Sequence, residues 1–172
     1  VLRILNIGSN NIKMDGSYFM AQLLVFNSTL TTLNVGTNDV RSDGVECIAE
    51  ALEMNSTLIT LVLSWNKIDD KGVARLADGL AINDSLRSLS LGNTDFGSKG
   101  ARNLGCALIV NSGLKDLNLE YSDLGSKGME YLAAGLMINS TLTSLNLSYN
   151  KLDDEGMGYL TDCLTINSAL KT

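Results

Sequence analysis

Several residue types in this chain of 172 could carry chemistry. Carboxylates stand in adjacent pairs at Asp69–Asp70 and Asp153–Asp154, an arrangement that acid/base or metal work would use. Three cysteines occupy positions 47, 106 and 163. Asn27, Asn55, Asn83, Asn139 and Asn146 fall in N-x-[ST] sequences, the acceptor pattern for glycosylation. Large aromatics stand at Trp65, Tyr121 and Tyr149, with Asp116 and Glu120 close to the second of them.

Most catalytic constellations fall away at once. The chain has no histidine, which removes Ser-His-Asp and Cys-His arrangements and most catalytic zinc sites. It has no GxGxxG or GxxxxGK[ST] element to cradle a phosphate. The carboxylate pairs recur at one place in a repeated pattern, just ahead of a helix, where negative charge favours the positive helix end. The cysteines are odd in number and irregularly placed in helical segments, so they read as small buried or half-buried apolar side chains. The expectation is a non-enzyme with no cofactor and no metal.

The elements that must position the remaining residues are set by a repeat. Leu142–Asn150 reads LTSLNLSYN, and the pattern LxxLxLxxN returns with starts at Leu2, Leu30, Leu58, Leu86, Leu114 and Leu142, always 28 residues apart. Leu170 opens a seventh copy, cut short, so the sequence reads as a single array over 1–172 and as a piece of something longer. A fixed period between 20 and 29 residues is the mark of a leucine-rich-repeat solenoid, which buries its apolar surface between neighbouring repeats.

Each repeat changes period halfway. In Leu114–Leu119 the leucines alternate with Asp116 and Asn118, which is a short strand with one buried face. A further apolar column follows (Ile12, Val40, Ile68, Phe96, Leu124, Leu152). After it come Ser or Asp at 42, 70, 98, 126 and 154 as expected helix N-caps, then a glycine in every copy. The helix carries a one-sided stripe such as Val45, Ile48, Ala49 and Leu52. The small residues of the Ala49 column are expected to let helix and sheet approach. An asparagine closes each helix (Asn27 through Asn167) and is expected to take the left-handed conformation of a C-cap. The ninth-position column (Asn10, Asn38, Asn66, Thr94, Ser122, Asn150) should tie turns of adjacent repeats together, less tightly where a hydroxyl replaces the amide. Strands about 4.8 Å apart, backed by helices about 8–10 Å apart, force an arc with the sheet inside. The expected architecture is an α/β horseshoe of six repeats, with a concave parallel sheet and convex helices.

The unit LxxLxLxxNxIxxxGxxxLxxxLxxNxxL resembles the ribonuclease-inhibitor-like subfamily of leucine-rich repeats, over Leu2 to Leu170. That subfamily includes ribonuclease inhibitor, the sensor arms of nucleotide-binding immune receptors and GTPase-activating proteins of the Ran type. The resemblance implies an intracellular protein that binds other proteins on its concave face.

Function must then lie in the columns the repeat leaves free. On the strand face these are mostly small and polar, with Val62, Asn118 and Asn146 in one column and Asp116 and Glu120 in its neighbours. The strand-exit column reads Ser9, Thr37, Trp65, Asn93, Tyr121, Tyr149. No core need places aromatics there, and Trp and Tyr are the residues that anchor interfaces. The sequence therefore points to a module binding a protein or peptide through Trp65, Tyr121 and Tyr149 as anchors. Asp116 and Glu120 would meet basic groups, and Asn118, Asn146 and Val62 would complete the contact. Regulation of an enzyme in trans, carbohydrate recognition and an architectural scaffold remain as alternatives. Net charge of −6, with its 13 basic residues scattered, argues against nucleic acid, and no apolar run is long enough for a membrane span. The absence of cysteine-rich caps points to the cytoplasm. Sheet edges at both ends expose the array to end-to-end self-association.

Overall fold

The structure is a computed structural model, and it describes every residue except Asp95. Strand and helix alternate without exception: β1 Ile4–Asn6, α1 Met14–Phe26, β2 Thr32–Asn34, α2 Arg41–Met54, β3 Thr60–Val62, α3 Asp70–Ile82, then β4 Ser88–Ser90, α4 Gly97–Val110, β5 Asp116–Asn118, α5 Gly125–Leu136, β6 Ser144–Asn146 and α6 Asp154–Ile166. The strands form one parallel sheet in the order β1-β2-β3-β4-β5-β6. Partners across every pair lie 28 residues apart, as in Ile4↔Thr32 and Asp116↔Ser144. Sequence period and sheet register are the same quantity, so each column of the repeat becomes a physical row.

The rows fill the core. Leu33, Leu61, Leu89 and Leu117 point from the strands to the helices, and Ile48, Leu76, Leu104 and Leu132 point back; all are buried. Each fully buried side chain of this size contributes about 1.5–3 kcal/mol relative to exposure. The glycine column is a steric requirement. A Cβ on Gly72 would come 2.7 Å from Ile68 Cγ2 and 2.9 Å from the Ser42 Cα. The apolar column four residues earlier lies directly over the helix start, and no room remains for a methyl group.

Four expectations are corrected. The small column faces the neighbouring helix: a Cβ on its Gly105 would meet the Tyr131 carbonyl oxygen of α5, and the backbone at Ala49 is approached in turn by α3, where a Cβ on Gly79 would come 2.8 Å from the Ala49 carbonyl oxygen. The side-chain N-caps stand one residue earlier than expected, at Asp69, which accepts from the Lys71 and Gly72 amides, and at Asp153, which accepts from Gly156. Ser42 and Ser126 instead donate to those carboxylates from the preceding repeat. The helix-closing asparagines are extended, Asn83 at φ −76° and ψ 123°, and not left-handed. They work through their side chains: Asn83 Nδ2 donates to the Leu52 and Asn55 carbonyls of the preceding repeat, both at 2.8 Å, while its Oδ1 accepts from Ser85 and Leu86. Finally, Cys106 is exposed, although Cys47 is half-buried and Cys163 buried as read; all three are free thiols.

The ninth-position ladder forms on the inner edge. Asn66, fully buried, donates to the Val35 and Leu63 carbonyls at 3.0 and 2.9 Å and accepts from the Asn38 and Val40 amides. Asn150 repeats the pattern with Leu119, Leu147, Ser122 and Leu124. Among the described residues, Thr94 bonds only to Leu91 of its own repeat, and Ser122 reaches the preceding repeat only at 3.5 Å. The outer ladder (Asn55, Asn83, Asn111, Asn139, Asn167) is unbroken.

Candidate functional site

The strand-exit column owes its exposure to the backbone. Ser9, Thr37, Trp65, Asn93, Tyr121 and Tyr149 all take positive φ, between 53° and 63°. Their amides still extend the ladder, with Trp65 N–H donating to the Gly92 carbonyl at 2.9 Å and Tyr121 N–H to Ser148 at 3.0 Å. The left-handed turn throws each side chain off the sheet edge. Glycine and asparagine take this conformation most easily, whereas a residue with a bulky Cβ substituent is strained there by roughly 1–2 kcal/mol. Trp65, Tyr121 and Tyr149 are nonetheless 58%, 45% and 67% exposed. They gain little burial at a position that disfavours them.

Two of the three aromatics are brought together. The Tyr121 and Tyr149 rings stack with centroids 4.1 Å apart and planes 5° from parallel, forming one flat apolar wall across β5 and β6. Desolvation, and after it the neighbouring Tyr149 and Glu120, raise the Tyr121 pKa, so its hydroxyl stays protonated. Trp65 stands apart, with the Asn93 repeat between. It borders its own concavity of about 300 Å³, floored by Gly8, Gly36, Asn34, Val62 and Ser64. The sequence-predicted column is therefore two anchor points, not one cluster.

Beside the tyrosine wall, Asp116 is exposed and Glu120 half-buried, and neither has an ion-pair partner among the described residues. The rim carboxylates differ: Asp39 meets Arg41 at 2.7 Å and Asp123 meets Lys151 at 2.7 Å. The Arg41 hydrogen bond is the largest influence holding the Asp39 pKa below its usual value. Asn118 and Asn146 lie on the strand face but spend their Oδ1 atoms internally, accepting from the Glu120 and Ser148 amides. Asn118 Nδ2 also donates to Ser90 Oγ at 3.2 Å, and Ser90 is bonded to Ser64. The Asn146 amide keeps its donors for a partner, and the Asn118 amide keeps one.

The side chains of four sequon asparagines, Asn27, Asn55, Asn83 and Asn139, are hydrogen-bonded to backbone within the turns they close. Sequence reading passed over one further row. Phe26, Met54, Ile82, Val110, Ile138 and Ile166 precede the helix-closing asparagines and are all more than 60% exposed. The signal was present as an apolar residue before every such asparagine.

The fold, the period and the internal ladders define a class. A family model described as Leucine Rich repeat matches residues 26–49, 55–77, 83–105, 110–133 and 139–160, and the chain belongs to that family. Among solved structures, it resembles Leiomodin-1 Actin-Binding Site 2, with 23% identity, 90% of this chain and 88% of that one covered, and a TM-score of 0.71. It also resembles the tropomodulin C-terminal domain of Caenorhabditis elegans, at 15% identity, 88% and 92% coverage and a TM-score of 0.71. At these identities the likeness concerns the fold alone. No curated protein matches the chain.

Proposed function

We propose that this array is a protein-interaction module that binds a protein or peptide on its concave face and has no catalysis of its own. The observation that carries this reading is the Tyr121–Tyr149 stack, exposed at two backbone positions that disfavour bulky residues. Strain held at a surface site without a gain in burial points to a use outside the fold. The wall offers flat apolar area at low entropy cost, Trp65 offers a second anchor, and the unpaired Asp116 and Glu120 favour basic groups between or beside them. Asn118 and Asn146 contribute donors, and Val62 adds apolar surface to the Trp65 concavity. The leiomodin-1 structure is described as an actin-binding site, which favours a protein partner for this fold neighbour as well. The 28-residue period with a helix of 12 to 14 residues per repeat favours the ribonuclease-inhibitor-like subfamily. An exposed free thiol at Cys106 suits a reducing, cytoplasmic setting.

The test is capture from cell lysate with the parent chain and a Trp65/Tyr121/Tyr149 triple-alanine variant, followed by titration of the captured protein. The variant should bind at least about thirtyfold more weakly, since a central anchor contributes about 2 kcal/mol or more. Equal affinity with an unchanged circular dichroism spectrum would refute the concave site.

A further inference from the structure

A groove between α1 and α2, on the helical side of the molecule, is chemically unlike the rest of the array. It has a volume of about 610 Å³ and is lined by Met14, Asp15, Tyr18, Phe19, Asp43, Glu46, Cys47 and Glu50. Met14, Tyr18 and Phe19 are 52%, 54% and 66% exposed. Later repeats carry Ser or Asp in the Met14 column and Glu, Ala, Arg or Gly in the Tyr18 column, so apolar residues at those two places belong to α1 alone, whereas the Phe19 column holds aromatics again at Tyr131 and Tyr159. Four carboxylates rim the apolar floor. Among the described residues only Glu46 has a cationic partner, Arg75 at 3.0 Å; Asp15, Asp43 and Glu50 have none. One column shows the contrast: it reads Asp15, Asp43, then Lys71, Lys99, Lys127 and, in the last repeat, Glu155. In that column the charge changes sign between α2 and α3.

We propose that this groove docks a basic amphipathic helical segment of a partner protein, apolar side down onto Tyr18, Phe19 and Met14, with lysines or arginines against Asp15, Asp43 and Glu50. The groove fits that occupant in three ways. Asp43, Glu46, Cys47 and Glu50 follow the i, i+3, i+4, i+7 spacing of one helix face, so its length is about two helical turns, near 10 Å. Parallel helices leave the furrow that the helix-in-groove mode of recognition uses. Exposed aromatic rings beside unpaired carboxylates attract cationic side chains with apolar stems, which can lie along the floor while the charges reach the rim. Burial, and then Glu50, Glu46 and Asp43, push the Cys47 thiol pKa up, which reports the same negative potential from inside the groove.

The experiment is fluorescence anisotropy with a labelled synthetic helix that has leucine on one face and lysine on the other. Its controls are the same helix with glutamate for lysine, and oligolysine without leucine. The lysine helix should bind one to one and lose affinity with added salt. Affinity should fall on the order of tenfold or more for Tyr18→Ala and for the Asp43→Asn/Glu50→Gln pair. Bound helix should slow alkylation of Cys47 and leave that of Cys106 unchanged, while the Trp65/Tyr121/Tyr149 triple-alanine variant should bind as the parent does. No binding of the lysine helix, equal binding of either control, or unaltered affinity in both groove variants would each overturn the proposal. So would loss of binding in the triple-alanine variant, which would move the helix to the concave face.

Discussion

At the residue scale, the left-handed exit column separates what Trp65 does for the fold from what it does for a partner. Asparagine takes its φ of 63° with less strain than tryptophan. Trp65→Asn should leave stability unchanged or raise it by about 0.5–1 kcal/mol in urea titration, while weakening capture of the concave-face partner. A residue selected for stability would show the reverse. Asn66 is the opposite case. Its removal strands the Leu63 carbonyl and the Asn38 and Val40 amides in the interior and leaves the Val35 carbonyl with Asn38 Nδ2 alone. Asn66→Ala should cost about 3 kcal/mol or more in the same titration, because several buried groups lose their partners at once. Asn66 was legible in the sequence because a period exposes it. The positive φ of Trp65 was not, since nothing in LITLVLSWN distinguishes a left-handed tryptophan from an extended one.

At the element scale, strands and helices followed from the change of period within each repeat, and the observed strands sit inside the predicted alternation. Helix ends were harder. A serine or aspartate in every copy looked like the cap, yet the geometry favours the preceding residue when that is Asp69 or Asp153. Where it is Arg41, Gly97 or Gly125 the chain turns left-handed and no side chain caps the helix. The Asp69 pKa is lowered chiefly by the Ser42 hydrogen bond, with the Gly72 and Lys71 amides adding to it. A depressed folded pKa gives stability that is complete above the unfolded value of about 3.9 and is lost as pH falls through the folded one. Asp69→Asn should therefore be less stable than the parent at neutral pH, and the difference should shrink below about pH 4, as urea midpoints across that range would show. A gap that persists at low pH would assign the cap to hydrogen bonding alone.

At the scale of the whole molecule, the period predicted the sheet order and register completely, because a solenoid has only nearest neighbours. The groove between α1 and α2 was less legible. Met14 stood out as a break in its column, but only the packing of two helices shows which apolar and acidic residues face one furrow. Burial is also uneven along the array: β6 is half-buried throughout and α6 buries only Gly156 and Cys163, whereas α2 to α5 each bury six residues. Amide hydrogen exchange should accordingly be slowest in β3 to β5 and faster toward β1 and β6. A flat profile would mean that the repeats open only all together.

The interrupted inner ladder makes the array mechanically asymmetric. Outer asparagines tie every repeat to the one before it, but between the third and fifth repeats the ninth-position staples lapse among the described residues, and the inner side keeps only the lighter strand-face bonds of Ser64 and Asn118 to Ser90. A strip fastened along its outer edge and loose inside flexes most cheaply at the loose seams. Trp65 lies on one jaw of that flexure and the tyrosine stack on the other. The local radius of curvature thereby sets the gap between the two anchors.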